Sequence, residues 1–209
     1  MKNSNYIIFK ILLILFGLNL ISCSTYKAIY EVGLDNVEVP KDAQVQFGET
    51  NFVKFSDNNI NKYKFEDNFV EMIWFVGESQ LNFYLKNKSD YPLKINWDDV
   101  TYVDYNGFSD RVMHSGIKYI DRASSHPASI IPKGSSIDDM ILPISKIYLL
   151  YSTWVTPSLI PCYYKKKVDF DREAEKWVGK TIKVLFPIVI ENVQNNYVFE
   201  FKVNRLVNK

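Results

Sequence analysis

The chain is poor in the residues from which recognisable chemistry is built. Its 209 residues include two cysteines and two histidines, too few for a disulfide-stapled framework, and they show no zinc-type spacing. Charge of one sign is also missing. Twenty-five basic residues stand against 24 acidic ones, which excludes the basic footprint of a nucleic-acid-binding protein. No apolar run approaches the roughly 18 residues that cross a bilayer as a helix. Phosphate loop, dinucleotide fingerprint and nucleophile elbow are all absent from the sequence. What the chain does hold is apolar side chains, 47% of the total with 15% aromatic, sufficient for one full core and marginal for two.

Those apolar residues alternate with polar ones, the period of a half-buried strand. Leu81, Phe83 and Leu85 alternate with Asn82, Tyr84 and Lys86. After the turn-forming cluster Asn87 to Pro92, Leu93, Ile95 and Trp97 alternate with Lys94, Asn96 and Asp98. Beyond Asp99 the parity shifts to Val100 and Tyr102, which predicts a bulge or bend. Asn106-Gly107 predicts a type I′ turn into a strand over 109–114, and Ile131-Pro132-Lys133-Gly134 a type I turn before a strand over 136–142. Short strands are expected within 44–55 and over 69–76, with 56–64 as a polar loop. The chain ends in two long alternating runs, 181–191 and 197–205, joined through Gln194 to Asn196. One helix is expected, capped by Asp171, with Ala174, Trp177 and Val178 on one face and Gly179 closing it. Several short strands and almost no helix predict a mainly β fold, an antiparallel sandwich occupying 44–209.

The amino-terminal segment reads differently. Lys2 and Lys10 flank the start of an apolar run, Ile11 to Ile21, broken only by Gly17 and Asn19, the pattern of a secretory signal. It ends in Leu20, Ile21, Ser22 and Cys23, which resembles the bacterial lipobox. That resemblance implies cleavage before Cys23 and acyl chains on it, with 1–22 as the signal peptide and 23–43 as a tether or an emerging edge strand. One chain binds a membrane marginally and two or three bind stably, because each buried methylene contributes about 0.8 kcal/mol. Ser24 in place of Asp is similar to outer-membrane sorting signals and implies that membrane, on its periplasmic face. Without residues 1–22 the chain has 23 basic and 24 acidic groups.

The strand, the Asn87-Lys88-Ser89 turn, Pro92 and the following strand resemble the immunoglobulin-like sandwiches of uncharacterised bacterial envelope lipoproteins. Trp97 is similar in place to their core tryptophan, but the inter-sheet cysteine pair is absent, and architecture carries no activity with it. Candidate chemistry is sparse. His114 and His126, separated by a loop-like stretch, read as a strand residue and a pre-proline loop residue, and an acid–base pairing would use His114 with Asp98 or Asp99. Asp98, Asp99, Asp104 and Asn106 have oxygen ligands suited to a hard cation, without EF-hand spacing, and polar turn residues explain them equally; no cofactor or metal is expected. Cys162 is expected as a buried thiol. The candidate interaction surface is 148–167. It holds Tyr148, Tyr151, Trp154, Tyr163 and Tyr164 and ends in Lys165, Lys166 and Lys167, aromatics beside lysines that suit a membrane interface or partner groove. The competing reading makes 148–155 a core strand and the lysines a solvated loop. The expected function is a non-enzymatic, membrane-anchored envelope lipoprotein that binds a protein or glycan partner. The alternatives are an envelope hydrolase with a dispersed site and a carrier with an apolar cavity between its sheets.

Overall fold

A computed structural model describes residues 25–38, 51–57 and 60–208. Cys23, the signal segment and the apolar residues Val45 and Phe47 lie outside them. In chain order the strands are β1 (Tyr26–Lys27), β2 (Tyr30–Glu38), β3 (Asn51–Asp57), β4 (Ile60–Glu66), β5 (Val70–Val76), β6 (Leu81–Asn87), β7 (Leu93–Ile95), β8 (Thr101–Val103) and β9 (Ser109–Met113). They continue as β10 (Ser129–Ile131), β11 (Ser136–Pro143), β12 (Tyr148–Leu150), β13 (Thr153–Val155) and β14 (Tyr163–Tyr164). Helix α1 (Lys167–Glu173) precedes β15 (Thr181–Ile190) and β16 (Val193–Leu206). The fold is mainly β, antiparallel throughout the described ladders, with one short helix.

Twelve of the described strands form a single curled sheet with two halves. One half runs β3, β4, β5, β6, β11. The other places β16 between β2 and β15, with β7 and β8 end to end along the far side of β15. Strand β11 belongs to both halves. Its residues Ser136 to Ile141 pair with β6, and Leu142 and Pro143 pair with β9. The curl brings the two inner faces together as in a sandwich. Phe65 on β4 meets Phe199 on β16, ring centroids 5.6 Å apart, and Trp74 on β5 meets Phe199 at 4.9 Å and Phe201 at 5.3 Å.

The alternation fails at the elements' ends for identifiable reasons. Leu81, Phe83, Leu85, Leu93, Ile95 and Trp97 are all buried as their parity demands. Strands β6 and β7 nevertheless lie in opposite halves and face each other instead of pairing. The parity shift after Trp97 is a 3-10 turn over Trp97–Asp99, a bend and not a bulge. At Asn106-Gly107 only the glycine has positive φ, and Gly107 N–H donates to Asp104 C=O, the type I turn with an αL glycine in place of type I′. The Pro132 turn closes one residue late, Ser135 N–H donating to Pro132 C=O with Gly134 at φ 72. Residues 60–64, expected as loop, belong to β4, because their partners on β3 and β5 supply the ladder. Helix α1 starts four residues before Asp171, which pairs with Lys167 inside the helix and caps nothing. In the final hairpin Glu191 and Asn192, both at positive φ, make the turn. Gln194 to Asn196 are therefore already strand.

Strand β2, within the stretch read as tether passing into an edge strand, pairs with β16 over most of its length. Its Gly33 admits the buried ring of Tyr63, since a β-carbon there would lie 2.5 Å from Tyr63 Oη and 2.7 Å from Cζ. A Gly33→Ala change should therefore lower stability by about 1–3 kcal/mol through overpacking. Urea unfolding of the single variant and of Gly33→Ala with Tyr63→Leu checks this, the second change being expected to recover part of the loss.

Candidate functional site

The expected surface 148–167 divides into two places. Strands β12 and β13 form a two-stranded hairpin outside the main sheet. The reading of 148–155 as a core strand does not describe it, since Tyr148, Leu149, Leu150 and Tyr151 are all exposed. Two strands alone are marginal in water, so the hairpin depends on its root. There Trp154 packs its ring against Tyr119 at 5.8 Å and takes the Arg122 guanidinium 5.1 Å from its centroid. Both border the buried group Met113, Leu142 and Ile147. The tip is the reverse. Tyr151 is 94% exposed, and it and Ser152 occupy the left-handed region at φ 45 and 66. A type I′ turn normally takes Asn-Gly there, because a β-carbon crowds the following carbonyl. The tip thus combines an exposed aromatic ring with a sterically costly backbone.

The second place is the end of the chain's first strand. Strand β14 pairs with β1, Tyr164 opposite Tyr26 and Tyr163 opposite Lys27, and Ala28 N–H donates to Cys162 C=O. Tyr164 turns inward. Trp177 Nε1 donates to its hydroxyl at 3.2 Å, the Tyr30 hydroxyl is also 3.2 Å away, and its ring meets Phe170 at 5.8 Å. Tyr163 turns outward, 57% exposed, with the Lys27 ammonium 5.1 Å from its ring. Lys167 pairs with Asp171, while Lys165 and Lys166 are exposed and make no ion pair among the described residues. Cys162 is buried, its thiol pushed up in pKa by that burial, as an inert structural thiol should be.

The histidines meet, which no spacing rule indicated. His114 follows β9 and stacks flat on Trp97, centroids 3.9 Å apart and 3° from parallel. Its Nδ1 lies 3.2 Å from Asp139 Oδ2. Asp98, expected as its partner, is instead held by Arg111 at 2.9 Å, by the Ser125 hydroxyl and by the His126 backbone N–H. The His126 ring stands edge-on to His114 at 5.5 Å. His114 Nε2 and both His126 ring nitrogens are buried without a hydrogen-bond partner among the described residues. The arrangement has the acid–base half of a relay, with the Ser115 side chain against Asp139 and not against either imidazole among the described hydrogen bonds. Asp104 accepts the N–H groups of Asn106 and Phe108 and thereby closes its own turn. No group of His, Cys, Asp and Glu among the described residues is arranged to hold a metal.

A groove of about 710 Å³ lies on the outer face of β3, β4, β5, β6 and β11, where Phe55, Phe75 and Tyr84 stand beside Asp57, Asn82 and Asp138. Another, of about 470 Å³, lies between β2 and the β5–β6 turn beside Cys162. Both open outward. The space between the halves, where a carried ligand would sit, is filled by Trp74, Phe83, Phe186 and Phe199. No helix among the described residues is long and apolar enough to cross a membrane.

No family model and no curated protein matches this chain. One solved structure, described as the X-ray structure of Northeast Structural Genomics Consortium target SoR45, is 12% identical and is matched over 83% of this chain and 91% of that one, with a TM-score of 0.28. A likeness of that size carries no argument about either fold or function.

Two outcomes follow from this geometry. Replacing the tip by the residues its backbone favours, Tyr151→Asn with Ser152→Gly, should raise stability by about 1–2 kcal/mol, measured by urea unfolding. Burial first, and then the neighbouring His114, hold the His126 imidazole below its ordinary pKa of 6.5. The unfolded chain therefore takes up the proton first. Stability from the neutral ring is full above about 6.5 and is lost as pH falls below that value. Between about pH 7.5 and about pH 5 the unfolding midpoint should fall less in His126→Leu than in the native protein; equal falls would remove His126 as the titrating group.

Proposed function

We propose that this chain is a bacterial envelope lipoprotein, held by acyl chains on Cys23 at the outer membrane on its periplasmic face. Its β body binds a protein or glycan partner and catalyses no reaction. The observation that carries this reading is Leu20-Ile21-Ser22-Cys23 at the end of an eleven-residue apolar run, three residues before the first strand. The reading takes the sandwich as immunoglobulin-like, an architecture that presents loops at its ends. The hairpin tip at Tyr151 supports it as the partner-binding element. A contiguous exposed stretch of Tyr148, Leu149, Leu150 and Tyr151 is too apolar to be left to water without a use, and aromatic residues dominate interface energetics.

Detergent phase partition with mass spectrometry of the amino-terminal peptide tests the anchor. The native protein should enter the detergent phase with acylated Cys23, and a Cys23→Ala form should stay in the aqueous phase. Crosslinking in cells then tests the role. Partners captured by a photoreactive residue at Tyr151 should vanish in the Cys23→Ala form and in a Leu149→Ser, Tyr151→Ser form whose stability stays within about 0.5 kcal/mol. An unchanged partner set would count against anchored recognition through the tip.

A further inference from the structure

Strand register sorts the chain's turns onto two ends of the sheet. Strand β1, the starts of β2, β6 and β15, and the last residues of β16 lie at one end, because Ala28 and Ile29 hydrogen bond to Cys162 and to Val207 and Asn208, and Leu159 N–H donates to Glu78 C=O. The turn 132–135 and the loop 87–92 lie at the other, tied by the bonds between Asn87 and both Gly134 and Ser135. The seven residues of β6 separate these ends by about 20 Å.

Cys23 belongs to the first end by covalent necessity. It stands three residues before Tyr26, within about 11 Å at full extension. Tyr26 pairs with Tyr164, and Lys165 and Lys166 follow Tyr164 directly, in the bend that leads into α1. Both lysines, exposed and without an ion pair among the described residues, therefore stand beside the strand that leads back to the acylated residue. Exposed apolar side chains share this end. Tyr163 is 57% and Val168 62% exposed, and Ile29 and Val207, joined by a 2.7 Å backbone hydrogen bond, are each about half exposed. Over 163–180 six basic residues stand against four acidic ones. Three of those acids, Asp169, Asp171 and Glu173, are already paired with Lys167, Arg172 and Lys176.

We infer that this end is a membrane-contact face: Lys165 and Lys166 engage anionic lipid headgroups while Tyr163 and Val168 enter the interfacial layer. The inference rests on the anchored reading above and adds to it, since acyl chains alone do not set which face of the body meets the bilayer. A juxtamembrane lysine contributes attraction to an anionic surface that is lost within a Debye length, and Tyr is suited to the headgroup level. Contact at this end fixes the opposite turns about 20 Å or more from the bilayer.

The acylated full-length mature protein, in detergent micelles and then in vesicles of phosphatidylethanolamine with phosphatidylglycerol, is labelled with an amine-reactive reagent and read by mass spectrometry. Labelling of Lys165 and Lys166 should slow about fivefold in vesicles, and that of Lys133 at the far turn should not change. In phosphatidylcholine vesicles the protection should largely disappear. Equal labelling in vesicles and micelles on a protein whose Cys23 carries its acyl mass overturns the contact face and leaves the anchor standing. Protection as strong on phosphatidylcholine overturns recognition of anionic headgroups. A Cys23 peptide without acyl mass overturns the anchored reading and this inference with it.

Discussion

The structure depends on the closure of a sheet around Trp74. Its indole is fully buried and meets Phe83 at 5.3 Å, Phe186 at 6.2 Å, Phe199 at 4.9 Å and Phe201 at 5.3 Å, rings from both halves. Each tilted or edge-to-face contact contributes about 0.5–1.5 kcal/mol beyond the burial of its area. That gain tolerates a cost, since Trp74 Nε1 has no hydrogen-bond partner among the described residues. Polar ties then close the rims. Asp67 caps the β4–β5 turn through Phe69 and Val70 N–H and accepts the Tyr197 hydroxyl from β16 at 2.9 Å. Burial pushes the Asp67 carboxyl up in pKa while those three donors pull it back. Asn87, fully buried, donates to Tyr91 and Ile131 carbonyls and accepts from Ser89, so the glycosylation-like triplet at 87–89 is a structural staple. A centre this full of rings leaves no room for a ligand between the halves.

The parts legible in the sequence are those where one local period decides. Ile182, Val184, Phe186, Ile188 and Ile190 all turn inward as alternation requires, because β15 is flanked along its length and one face must be dry. What was not legible depends on partners far away in the chain. Nothing near Tyr26 announces β14, whose ladder spans more than a hundred residues. Lys62 and Asn61 read as loop because their polarity suits a turn, yet the ladder with β3 makes strand of them. His114 and Asp139 are brought together only by the register of β9 on β11, which no spacing encodes. The candidate surface was legible by composition but not by place. Tyr148 to Trp154 and Tyr163 to Lys167 read as one run, while the chain between them returns to the core through Leu159, Ile160 and Cys162.

The hairpin and the core are not independent. Strand β11 leaves β6 for β9 between Ile141 and Leu142, and a sheet that changes partners in mid-strand makes a corner. Met113 and Leu142 face each other at that corner and carry the hairpin's root. The next residue after Met113 is His114, flat on Trp97 and bonded to Asp139 on the same β11. The buried polar group and the exposed hairpin are thus opposite sides of one junction.

That junction gives the two buried histidines a structural role. An all-apolar corner could slide by two residues and keep its faces dry, since the side-chain period is two. A His–Asp bond and a ring stacked at 3.9 Å permit only one register, because any slip strands a buried carboxylate. Asp139 stays well suited to the role: burial opposes its charge, but His114 and the Ser115 and Met140 N–H groups outweigh burial and hold its carboxyl below the ordinary range. Polar specificity at the corner in turn fixes where β11 ends, and hence the direction in which Tyr151 is presented. The cost of a few unpaired ring nitrogens inside is offset by a single, defined orientation outside.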